Sequence, residues 1–251
     1  MKEIIRIDII VLVSIMDLKN IEWNNNSYQE FIEYLKSIRE EEYKKFSEKI
    51  TFTKYEMLGI RLPELRRISK EISECDYQSF LKVSESTYYE EVMIYLLVIA
   101  NIKNISELMI YFDHAIALID NWALCDTFCN SLKLVNKNKE YFLTKIDELM
   151  NSNKTYHIRV GLILLLCFYV EEKYLDLICK YLDCIKSDEY YVNMAEAWLV
   201  CEIFIKYENV GLKYLEHNEL NKFTINKSIS KIRDSYRVDK EMKEYILKFK
   251  K

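Results

Sequence analysis

The stretch "YYVNMAEAWLVCEIF" (190–204) decides the reading of this chain, because four other segments open in the same way. They are "YYEEVMIYLLVIAN" (88–101), "DNWALCDTFCNSLK" (120–133), "YHIRVGLILLLCFYV" (156–170) and "FTINKSISKIRDSY" (223–236). Tyr89, Asn121, Tyr156, Tyr190 and Phe223 mark equivalent starts, separated by 32, 35, 34 and 33 residues. Shorter amphipathic stretches such as "EYFLTKIDELM" and "EEKYLDLICKYLDCI" lie between them. A period in the thirties with two helices per unit is the mark of a helical solenoid, whose units bury their apolar faces against their neighbours.

Composition agrees. Three Gly and one Pro in 251 residues leave too few turn residues for a sheet protein of this size. The ankyrin "TPLH" signature and the Gly and Pro punctuation of the tetratricopeptide unit are both absent, so HEAT-like helix pairs remain. Upstream, "FIEYLKSIREEEYKKFSEKI" carries apolar residues at helical spacing, and Pro63 suits the first turn of a helix in "LGIRLPELRRISKEI". The expectation is an all-α HEAT-like solenoid, a curved α-α superhelix, over residues 21–251 as one domain. Residues 1–20 form an N-terminal extension. Its "MKEIIRIDIIVLVSIMDL" is interrupted by Glu3, Arg6 and Asp8 and is too short to span a bilayer, so it reads as an amphipathic helix and not as an export signal. Seven cysteines without such a signal point to free thiols in the cytoplasm.

Net charge is −4, against the basic footprint usual in nucleic-acid binders, although a basic groove can coexist with an acidic back. The charge is uneven: Lys227 to Lys251 holds nine Lys/Arg and four Asp/Glu. No Walker A stretch, G-x-G-x-x-G, H-E-x-x-H or G-x-S-x-G occurs. The spacings of Cys125, Cys129, Cys179, Cys184 and His157 match no common zinc pattern. No metal or nucleotide cofactor is expected.

Trp122 and Asp126, four apart, share one helix face, which is an odd pairing of an aromatic with a carboxylate. Counted from the unit starts Asn121, Tyr156 and Tyr190, Trp122 and Asp126 sit at offsets 1 and 5 and Trp198 at offset 8. Those offsets follow i, i+4, i+7 and form one stripe on stacked helices. Arg159, at offset 3, lies ~200° round the wheel from offset 1. Spacing alone therefore leaves Arg159 off the stripe unless twist or a shifted unit start brings it round. Each residue also has an ordinary reading: tryptophan as core, aspartate as solvated surface, and arginine as a side chain reaching out of an apolar helix.

Taken in order, "LGIRLPELRRISKEI", "NWALCD", "YHIRVGLILLL", "YYVNMAEAWLV" and "EHNELNKF…NKSISKIRDSYRV" resemble the AlkD-type DNA alkylation-repair glycosylases, a family of HEAT-like-repeat proteins. The resemblance runs from about Tyr34 to Lys250. It implies that Trp122, Asp126, Arg159 and Trp198 line one concave cleft, and it is the resemblance that adds Arg159. It further implies hydrolysis of N-glycosidic bonds of cationic N3- and N7-alkylpurines in duplex DNA, cleaved without flipping the base. Such a purine departs neutral and needs no general acid. A carboxylate, Asp126, would stabilise the cationic sugar, the indoles of Trp122 and Trp198 would hold it, and Arg159 would grip a phosphate while keeping the Asp126 pKa low. Around the second tryptophan the family has basic residues where this chain has Met194 and Cys201.

The expected protein is thus a monomeric glycosylase acting on alkylated double-stranded DNA, not associated with a membrane, with Lys227, Lys231, Arg233 and Arg159 on a positive rim. The alternative is the same scaffold without catalysis, binding unusual DNA structures or a protein partner. Met194, Cys201 and the acidic charge favour that alternative.

Overall fold

A computed structural model describes residues 16–251; residues 1–15, the bulk of the expected N-terminal helix, lie outside the described residues. The chain divides into two compact units, one up to Val98 and one from Ile99. The fold is an all-α helical repeat, and among the described residues the only β contact is an isolated bridge between Glu56 and Tyr88.

Among the described residues the first unit comprises a single 3-10 turn, Leu18–Asn20, then α1 (Asn25–Ser37), α2 (Glu41–Ile50), α3 (Leu62–Ser73), α4 (Tyr77–Val83) and α5 (Tyr89–Ala100), whose last two residues belong to the second unit. The stretch 31–50 is therefore two helices, broken at residues 38–40, where Glu40 is extended and begins α2. Pro63 falls in the first turn of α3, where its missing N–H has no helical partner to lose. Behind the break, Gly59 takes φ +96°, and a Cβ there would lie 2.6 Å from the Glu40 carbonyl oxygen. Only glycine fits this turn. Its amide and those of Leu58 and Ile60 all donate to the Glu90 carboxylate, at 2.7, 2.9 and 3.1 Å.

The second unit runs through α6 (Ile105–Leu118), α7 (Trp122–Ser131), α8 (Lys139–Met150), α9 (Thr155–Phe168), α10 (Leu175–Cys184), α11 (Tyr190–Lys206), α12 (Glu208–Glu216), α13 (Lys222–Asp234) and α14 (Lys240–Tyr245). Here the repeat is plain: α7 packs on α9, α9 on α11 and α11 on α13, while α8 and α12 back onto α9 and α11. In "LKYLEHNELNKF" (212–223), whose polar residues suggest a turn between helices, the chain is helical up to Glu216 and again from Lys222, so the turn is confined to 217–221.

Helix starts explain how so few Gly and Pro suffice. Asn24, Asn104, Asn121 and Asn221 each cap a helix, their side-chain oxygens accepting from the first free amides. Each such cap stabilises its helix by about 1 kcal/mol. Asparagine supplies the punctuation that glycine and proline supply elsewhere. Among the described residues Gly59 alone has a positive φ.

One buried acid marks the α11–α13 contact. Glu196 is 2% exposed, accepts from the Thr224 hydroxyl at 3.5 Å, and meets the Asn193 amide nitrogen at 3.2 Å when that amide is turned toward it. Burial, the largest effect, pushes its pKa from 4.5 to about 8, with Thr224 and the charge of Lys186 pulling the other way. The folded chain thus holds this proton more tightly than the unfolded chain does. The stability linked to it is complete below pH 4.5 and is lost as pH climbs through about 8. Melting temperature is expected to fall between pH 5 and 9 in the native protein and to fall less in Glu196→Gln; equal slopes would show that Glu196 is ionised throughout.

Candidate active site

In the second unit, α7, α9, α11 and α13 present one set of side chains to a pocket of about 290 Å³. Trp122 and Asp126 come from α7, Arg159 from α9, Tyr190, Tyr191, Met194 and Trp198 from α11, and Lys231 from α13. Neither tryptophan is enclosed: Trp198 is 43% exposed and Trp122 is partly exposed.

Counting from the true helix caps resolves the position of Arg159. The caps of α7, α9 and α11 are Asn121, Lys154 and Glu189. Asp126 is the fifth residue after its cap (126 − 121), Arg159 is the fifth (159 − 154), and Met194 is the fifth (194 − 189). Trp122 at position 1 and Trp198 at position 9 complete a ladder with four-residue steps, and such positions share one helix face. The Tyr156 start lies two residues past its cap and the Tyr190 start one, which moves Arg159 from offset 3 to 5 and Trp198 from 8 to 9.

The ladder places carboxylate against guanidinium. Arg159 Nε donates to Asp126 Oδ1 at 3.0 Å and Nη2 to Oδ2 at 2.8 Å, a bidentate pair, while Nη1 donates to the Tyr191 carbonyl at 2.6 Å. The arginine side chain is 5% exposed and the aspartate 19%. Burial pushes the Asp126 carboxyl above the ordinary aspartate range, and Arg159 only partly offsets this. The expectation of a low Asp126 pKa is therefore corrected: desolvation outweighs the neighbouring charge. For Arg159, burial works against the charge, but the contact with Asp126 prevails and its pKa ends raised. The two side chains stand as an ion pair, and the bidentate geometry fixes the carboxylate plane.

Lys231 lies with its ammonium 5.5 Å from the Trp198 ring centre, across the mouth of the pocket. The other basic residues expected beside it lie elsewhere. Lys227 lines a neighbouring cavity with Lys222, and Arg233 is paired with Glu244 at 3.2 Å on α14. Tyr190 and Tyr191 line the pocket as well, and the doubled tyrosine at a unit start is their one signal in the residue order. Cys201 is buried and outside the pocket lining, whereas Met194 is part of it. Among the described residues no helix is long and apolar enough to cross a membrane.

The arrangement can place a fixed, poorly solvated carboxylate between two accessible indoles, under a lysine, in a pocket open at one side. A description of DNA alkylation repair enzymes matches residues 30–232, which is most of the chain. No curated protein matches it.

Proposed function

The chain belongs to the DNA alkylation repair enzyme family, and on that premise we propose that it hydrolyses the N-glycosidic bond of cationic N3- and N7-alkylpurines in duplex DNA, leaving the base in the stack. The observation that carries this reading is the Asp126 carboxylate, gripped by Arg159 and flanked by Trp122 and Trp198 on an open pocket.

As the C1′–N bond stretches, its electron pair moves to the purine and cancels the ring charge, so no proton donor is required. Positive charge gathers on the sugar. A carboxylate held by burial and by Arg159 meets that charge without reorganising, and sparse solvation strengthens the attraction. The two indole faces hold the sugar and favour its cationic form. Water bonds to C1′ through its oxygen and loses a proton to Asp126 or to solvent, giving the abasic sugar. Arg159 commits three of its five N–H donors within the chain, which leaves two for a phosphate oxygen. Lys231 supplies a second charge at the pocket mouth. The protein acts in this reading as a cytoplasmic monomer without metal or nucleotide cofactor.

Trp198→Ala tests the reading at an accessible position. Release of 7-methylguanine from methylated duplex DNA should fall by about tenfold or more through lost positioning. The melting temperature should change far less than the ~3–5 kcal/mol of a core tryptophan implies. Full activity in this variant would remove the indole from the reaction. The non-catalytic reading is favoured by Met194, which puts an uncharged side chain beside Arg159 in the ladder; it predicts DNA binding with no base release by the native protein.

A further inference from the structure

Beside the pocket, the starts of α11 and α13 carry an aromatic pair that the mechanism does not use in full. Tyr190 is 55% exposed and Phe223 44%. Their ring centres are 5.9 Å apart with the planes tilted by 54°, and Tyr190 also meets Tyr191 at 5.3 Å with the rings near perpendicular. Next to Phe223 opens a cavity of about 470 Å³ lined by Lys222, Phe223, Asn226 and Lys227. Neither lysine has a carboxylate partner among the described residues. Two large rings left in solvent, edged by two free ammonium groups, are what a nucleobase and its flanking phosphates require: a π-face for stacking and positive charge for the backbone. Inside a duplex both faces of a base are covered by its stacked neighbours, so the ligand is an unpaired base turned out of the stack.

We propose that Tyr190 and Phe223 form a stacking platform for an unpaired base of the bound DNA, one ring meeting its face and the other, tilted by 54°, its edge, with Lys222 and Lys227 on the adjoining phosphates. This rests on the DNA-binding reading above and deepens it. The chemistry itself supplies such a base, because releasing a purine orphans the base opposite. Tyr190 lines the Asp126 pocket and also packs against Phe223, so the platform adjoins the place of excision. The ligand class is duplex DNA carrying an orphaned base, that is, the product of the reaction.

The test is fluorescence anisotropy with two labelled duplexes, one fully paired and one with a tetrahydrofuran abasic analogue opposite thymine. The native protein should bind the second about tenfold more tightly, the scale of one stacked base. Tyr190→Ala/Phe223→Ala should bring the two affinities together, and Phe223→Trp, which keeps a stacking face, should preserve the preference. Lys222→Gln/Lys227→Gln should weaken both duplexes and lower the slope of log affinity against log salt by about two. Equal binding of both duplexes by the native protein, or a preference surviving in the double alanine variant, overturns the platform. Equal binding is also the outcome if this face serves a protein partner. Loss of binding to every duplex would instead strike the DNA reading itself, and base release by Asp126→Asn probes the chemistry independently of both.

Discussion

Asp126→Asn is expected to lower the release of 7-methylguanine by about 10- to 1000-fold, the range for losing one preorganised electrostatic stabiliser. The substitution keeps the shape and one acceptor oxygen, but removes the charge that meets the sugar cation. It also changes the environment of Arg159, which is 4% exposed and loses its counter-ion. An uncompensated buried charge costs about 3–5 kcal/mol when its partner is removed outright, and the residual hydrogen bond of asparagine lessens this. Rates must therefore be compared well below the melting temperature of the variant. Arg159→Met/Asp126→Asn provides the control, since it removes the stranded charge and recovers part of the stability. A double variant that regains stability assigns the stability loss to the stranded charge; base release is read in Asp126→Asn itself, because Arg159 is also placed on the phosphate. Undiminished release in Asp126→Asn would end the catalytic role of this carboxylate.

The second large effect is one of stability and lies in the first unit. Glu90 is 2% exposed and accepts from three consecutive amides, those of Leu58, Gly59 and Ile60, all of them buried. Glu90→Ala strands three donors, each costing about 1–3 kcal/mol when it finds no water. Partial relaxation of the loop brings the expected loss to roughly 3–5 kcal/mol. Glu90→Gln should do less damage, because one oxygen remains to accept, yet its amide NH2 faces donors. Urea unfolding followed by circular dichroism checks the order, native above Gln above Ala. An alanine variant within 1 kcal/mol of native, a change typical of a solvated position, would mean that water replaces the carboxylate in the loop.

These cases mark where reading the sequence reached its limit. The repeat was legible because the α5, α7, α9, α11 and α13 segments share an opening and a period, and both are written directly in residue order. Arg159 was not legible from spacing: Tyr156 resembles the aromatic starts of its neighbours, but α9 begins at Thr155 with Lys154 as its cap. Lysine offers no capping oxygen, so nothing in "NKTYHIRV" announces the boundary. Glu90 was hidden for another reason. In "YYEEVMIY" it looks like a first-turn acid placed for the helix dipole, and its partners are backbone amides some thirty residues upstream, which no side-chain pattern encodes. The doubled Tyr190–Tyr191 was visible as punctuation, but whether such rings face the core or the solvent depends on how α11 packs on α13.

The Arg159 guanidinium joins three successive helices of one stack: it holds Asp126 of α7, springs from α9, and donates to the Tyr191 carbonyl of α11. Helical arrays lengthen and shorten over evolutionary time by duplicating or deleting whole units, since each unit touches only its neighbours. Here that freedom is interrupted. A unit inserted between α7 and α9, or between α9 and α11, would carry the arginine out of reach of one partner, so these three layers can only be inherited as a block. Gain or loss of repeats outside this block would leave the contacts of Arg159 with Asp126 and Tyr191 intact, so the core triplet stays fixed in length.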